Sequence, residues 1–230
     1  MEVTFMNTIL WEVDAQADFM LAGGKLYVPG AEKIILNLNR LVECARQNRV
    51  LLISSADVHS PDDPEFREWP PHCVKGTAGA ELIPEARAGS QMVIPNEQNF
   101  AFPGDLSAYQ QILLEKNTLD VFDNPHVDRV LAKLNVSQKK DHDSGTDFLV
   151  FGVVTEYCVR YAAEGLLRRG FQISIVEDAI QSIDEKKGRA ILDDLESRGA
   201  RLISTKEALA LIGHDTSTAP KSKTQKAAGT

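Results

Sequence analysis

The chain has little cysteine, little positive charge and no long apolar run. Three cysteines in 230 residues, Cys44, Cys73 and Cys158, are an odd number without framework spacing, so a disulfide-stapled fold is not expected. Lysine and arginine total 25 against 33 acidic residues, a net charge of −8. With no basic stripe either, a nucleic-acid partner is not expected. No apolar stretch approaches the roughly 20 residues of a membrane span. The opening Met1-Glu2-Val3-Thr4 lacks the basic and apolar regions of a secretory signal. A cytoplasmic location, in which thiols stay reduced, is the expectation. The hydrophobic fraction of 43% is enough for a sizeable core, and the length suits one large domain. Residues 1–214 read as that domain, and 215–230 as a disordered polar tail.

Strand and helix patterns alternate. Continuous aliphatic runs predict buried strands at Asn7–Val13, Val50–Ser54, Phe148–Val154 and Phe171–Val176, with short strands at Ile112–Glu115 and Arg201–Ile203. Helical spacing predicts helices at Glu32–Gln47, Pro125–Leu134, Tyr157–Arg169, Glu185–Ser197 and Lys206–Ile212. The fold class is therefore α/β, three layers with a mostly parallel central sheet of Rossmann-like type. In such sheets ligands bind beyond the carboxyl ends of the strands. Asp14, Asp57, His59, Lys116 and Cys158 all fall at strand ends, which predicts that they meet at one rim.

Trp69-Pro-Pro-His-Cys-Val-Lys-Gly-Thr-Ala-Gly-Ala80 fits neither helix nor strand, since consecutive prolines remove amide donors and the glycines open unusual backbone angles. It fixes His72 and Trp69 on a rigid loop. With Asp57 and His59 it presents a carboxylate and two imidazoles, a pattern suited to a divalent cation. Cys158 at a strand-to-helix junction has the position of a nucleophile, where free amides and the helix dipole favour a thiolate. The same amides can receive an oxyanion. Asp14 can act as acid and base, and Lys116 can hold the thiolate. Cys44 and Cys73 read as structural, as do His126, His142 and His214. Glu65 and Glu68 are as readily solvated charges.

These motifs resemble the isochorismatase-like cysteine hydrolases, and within them the nicotinamidases, from about Thr8 to Ser204. The resemblance rests on Asp14-x-Gln16-x-Asp18-Phe19 with Gly23, Gly24 and Leu26, on Asp57-x-His59, on Trp69 to Ala80, and on Gly152 to Val159. Val154 and Glu156 stand where that family has Ala and Asp. The resemblance implies a triad of Asp14, Lys116 and Cys158, a cis peptide before Val154, and an oxyanion hole from the amides of Val154 and Cys158. It implies a divalent metal, Zn with Fe or Mn as alternatives, on Asp57, His59 and His72, with Glu65 completing the shell. Phe19, Trp69 and Tyr157 would wall the substrate ring. The implied activity is hydrolysis of a small-molecule amide, nicotinamide first, with maleamate- or ureido-type amides and a non-catalytic member as alternatives. The tyrosine segment usual after the lysine is missing, and Phe122 is the expected partial substitute. The apolar helices permit a homo-oligomer, but no seam specifies one.

Overall fold

The computed structural model describes residues 8–102, 104–134, 136, 138 and 145–214. The expectations for His142 and for a tail over 215–230 lie outside the described residues. Seven parallel strands form one sheet: β1 Thr8–Val13, β2 Leu51–Asp57, β3 Gln91–Ile94, β4 Gln111–Lys116, β5 Asp147–Val153, β6 Gln172–Gln181 and β7 Arg201–Ile203. Their spatial order is β3-β4-β2-β1-β5-β6-β7. Every residue of β1, β2 and β5 is buried, as expected where helices cover both faces of a parallel sheet.

The helices are α1 Ala17–Met20, α2 Ile35–Arg46, α3 Val127–Lys133, α4 Arg160–Arg168, α5 Glu185–Ser197 and α6 Thr205–His214. In α2, Leu38, Leu41, Val42 and Ala45 are buried, the stripe of an amphipathic helix laid on a core. Asp184 caps α5 by accepting the amides of Lys186 and Lys187. Helices α2 and α6 pack together, as do α4 and α5, giving a layer on each side of the sheet.

Chain order and spatial order diverge at the centre. From β1 the chain moves outward to β2 on one side, and from β5 outward to β6 on the other. The neighbours β1 and β5 therefore flank the switch point, where a crevice opens at the strand ends. Register sharpens this: Val13 pairs with both Ser55 and Gly152, and Asp57 pairs with Lys116. Four strand ends are thus level with one another.

Three elements differ from the sequence expectation. Strand β6 runs on to Gln181, past the exposed Glu177 and Asp178, whose charges hide the strand in the sequence. Asp178 is engaged in tying down α6, accepting from the amide and hydroxyl of Thr205. Strand β3 is a four-residue edge element with three of its residues not fully buried, too short and too exposed to leave an aliphatic signature. The helix expected from Tyr157 is instead an irregular wide turn over Thr155–Val159, broken at Tyr157, followed by α4 from Arg160.

Candidate active site

Asp14 follows β1 in a left-handed conformation, φ 50°, held by a tight turn in which the Gln16 amide donates to its carbonyl at 2.7 Å. Its carboxylate accepts from Ser55 Oγ at 2.6 Å and lies 2.9 Å from Lys116 Nζ. Lys116, the last residue of β4, is only 1% exposed and places Nζ 3.5 Å from Cys158 Sγ. It also contacts the Asp57 carboxylate. The acid, the amine and the sulfur expected to converge are therefore in contact. The expected cis peptide also occurs, between Val153 and Val154.

Charge in this cluster is set by burial and by the lysine. Burial works against the Lys116 cation, yet Asp14 and Asp57 outweigh it and hold its pKa well above the ordinary value. Burial pushes the Cys158 thiol up, with Asp14 acting the same way and Lys116 opposing. Desolvation thus works against the thiolate expected from the helix terminus, while Lys116 works for it.

A cavity opens onto this cluster. Phe19, Trp69 and Tyr157 line it, as expected, together with Leu26, Val28, Leu119 and Ile183. Trp69 and Tyr157 meet edge to face, with centroids 5.7 Å apart. Phe122 does not substitute for the missing tyrosine. It stacks on Trp11 at 5.9 Å, under the Arg169 guanidinium, and packs against Gly165. Leu119, three residues after the lysine, takes the wall position instead.

Asp57, His59 and His72 bring potential ligand atoms within 4.8 Å of one another. His59 is fully buried; its Nδ1 lies 3.1 Å from Asp63 Oδ2 without a well-formed hydrogen bond, and Nε2 has no partner among the described residues. A buried imidazole with Nε2 unpartnered fits a cation ligand. His72 Nδ1 lies 2.8 Å from the Pro70 carbonyl, leaving Nε2 facing Glu65 Oε1 at 4.0 Å. Burial lowers the His72 pKa, which favours the neutral ring that metals require. Asp57 is pushed up to about 6 by burial, against the pull of Lys116. The donor set of imidazoles and carboxylates therefore fits a divalent metal.

Several residues to which the sequence assigned no role fasten the site together. Gln16 ties the end of β2 to the loop after Trp69: its amide nitrogen donates to the carbonyls of Asp57 and Ala80, and its oxygen accepts from the Asp57 amide, each at 2.7 Å. Asp18 accepts from the Cys73 amide at 2.8 Å, fixing the residue after His72. Phe66 packs on both His59 and His72. Glu156 accepts from the amides of Ile183 and Asp184, joining the Cys158 turn to the cavity wall. Periodicity could not have singled these out, although the spacing Asp14-x-Gln16-x-Asp18 is visible once one asks what fastens the loops. Cys73 is fully buried and does not line the cavity, which keeps its thiol away from a substrate bound there. Cys44 is also buried, inside α2. Among the described residues no helix is long and apolar enough to cross a membrane.

The isochorismatase domain model matches residues 8–109 and 89–207. Over 199 residues the chain is 26% identical to the nicotinamidase/pyrazinamidase of Mycobacterium tuberculosis, covering 83% of this chain and 95% of that protein. Its structure resembles a pyrazinamidase of Pyrococcus horikoshii solved in complex with zinc, at TM-score 0.66 and 26% identity, over 86% of this chain and 99% of the other. It also resembles an N-carbamoylsarcosine amidase from Thermoplasma acidophilum, at TM-score 0.66 and 25% identity, over 87% and 97%. With the family model covering most of its length, the chain belongs to the isochorismatase family.

Proposed function

We propose that this family member is a cysteine amidohydrolase that converts nicotinamide to nicotinate and ammonia. The observation carrying this reading is the contact of Cys158 Sγ with Lys116, itself paired with Asp14, at the floor of an aromatic-walled cavity. Asp14 takes the thiol proton as Sγ attacks the carboxamide carbon. The amides of Val154 and Cys158 receive the developing oxyanion, and Lys116 balances the negative charge beside Asp14. Asp14 then returns its proton to the departing nitrogen, releasing ammonia and leaving a thioester on Cys158. Water surrenders a proton to Asp14, attacks the acyl carbon and frees the acid, and the sulfur regains its proton. Phe19, Trp69 and Tyr157 hold the ring.

Asp57, His59 and His72, with Glu65 beside them, would hold a divalent metal, for which Zn, Fe and Mn are the candidates. When bound, it supplies a Lewis acid that anchors the ring nitrogen of the substrate.

A second reading keeps the chemistry and changes the amide to a maleamate- or N-carbamoyl-type compound. Leu119 in the cavity wall, without a tyrosine at that place, favours considering it, as does the likeness to the Thermoplasma amidase. Ammonia release from a panel of nicotinamide, maleamate and N-carbamoyl compounds, with wild type and Cys158→Ala, decides. We expect nicotinamide turnover by wild type and a loss of about a thousandfold or more in the variant. Turnover of only a non-aromatic amide would move the substrate. No turnover of any amide would leave a non-catalytic member.

A further inference from the structure

We propose that Asp63 is a positioning residue for the metal centre: its single carboxylate orients the His59 ring and sets the turn that carries Glu65, without itself being a ligand. This rests on the metal-holding role given above to Asp57, His59 and His72.

The two oxygens of Asp63 are already divided between two tasks. Oδ2 lies 3.1 Å from His59 Nδ1. Oδ1 accepts the Glu65 amide at 3.0 Å, capping the short helical turn Pro64–Arg67 on which Glu65 sits. Asn117, next to Lys116, faces the same carboxylate. Asp63 is only 9% exposed, so its charge is not simply solvated. A buried carboxylate between an imidazole and a backbone amide is a fixed orienter rather than a free surface acid.

Orientation follows from the ring. With Nδ1 turned to Asp63, His59 keeps Nε2 for a ligand, and Nε2 has no partner among the described residues. His72 repeats the arrangement, since its Nδ1 meets the Pro70 carbonyl. Both imidazoles thus turn Nδ1 toward a protein acceptor, 3.1 Å away for His59 and 2.8 Å for His72, and leave Nε2 for a ligand, the pattern by which outer groups fix tautomer and raise ligand basicity. His59, Asp63 and Glu65 also lie close enough together to hold an ion directly. In that rival arrangement Asp63 would be a ligand and His59 would bind through Nδ1.

Co²⁺ titration of metal-stripped protein separates these cases, read by affinity and by the visible absorption of the bound ion, alongside thermal unfolding of the metal-free forms. For Asp63→Ala we expect binding about 10–100-fold weaker than wild type, an unchanged absorption envelope, and metal-free unfolding close to wild type. Asp63→Asn, which keeps an acceptor oxygen, should recover most of the affinity. His59→Ala, which removes a ligand, should change the envelope. Wild-type affinity in Asp63→Ala would overturn the proposal, as would an envelope altered in the manner of His59→Ala. If Asp63→Ala does not fold, Asp63→Asn decides alone: modestly weaker binding with an unchanged envelope supports the role, and an altered envelope refutes it. Wild type that binds no Co²⁺ or Zn²⁺ would instead remove the metal reading itself, and this proposal with it.

Discussion

Glu12 lies inside a strand whose every residue is buried. Its Oε1 accepts the Ala15 amide at 2.6 Å, and Oε2 has no partner among the described residues. Burial, offset in part by the Ala15 amide and Ser54 and reinforced by nearby Asp14, raises its pKa to about 8. Between the unfolded value of 4.5 and about 8 the folded chain keeps this proton while the unfolded chain has lost it. Stability should therefore fall as pH rises through that window, by up to about 1.4 kcal/mol per unit. Urea unfolding near both ends of the window should show the fall, and Glu12→Gln should flatten it. An identical slope in the variant would assign the effect elsewhere. Leu119 and Phe122 give a second comparison at this scale. Leu119→Ala should shift KM with little change in stability, because the side chain lines the cavity. Phe122→Ala should cost about 2 kcal/mol or more, because the ring is packed between Trp11 and Arg169. The reverse pattern would restore Phe122 to the cavity wall.

At the scale of elements, the turn after β5 concentrates the constraints. Gly152 adopts φ 119°, and a Cβ there would stand 2.1 Å from the Val13 carbonyl oxygen. Neither the backbone angle nor the strand contact tolerates a side chain. Gly152→Ala should cost about 2–5 kcal/mol, read as a lower urea midpoint, with loss of activity as β1 and β5 separate. Unchanged stability would mean that the two strand ends are less closely apposed. The strands that carry the site, β1, β2, β4 and β5, were legible in the sequence because burial on both faces leaves aliphatic runs. The half-exposed β3 and the far part of β6 were not, since edge exposure and the charges of Glu177 and Asp178 erase that signal. Helix α4 starts three residues later than expected because an irregular turn, broken at Tyr157, precedes it.

Across the whole molecule, sheet order turns distant positions into a site. Asp14, Asp57, Lys116 and Cys158 come from four strands that the register brings level, and strand-end placement alone was enough to predict their meeting. What strand ends could not supply was the fastening of the loops. Gln16, Asp18, Asp63 and Glu156 act through contacts with backbone amides and carbonyls or with a ring nitrogen, and such contacts have no periodicity. The upward push of burial on the Cys158 thiol was equally out of reach, because it depends on depth rather than on residue type. In the proposed mechanism one acyl group passes through Cys158 whichever leaving group it arrives with. The direct measurement is product partition in the presence of hydroxylamine, starting from nicotinamide and from methyl nicotinate. A common thioester predicts the same ratio of hydroxamate to acid from both substrates and no hydroxamate from Cys158→Ala. Ratios that follow the leaving group, or hydroxamate formed by the variant at the wild-type rate, would contradict it.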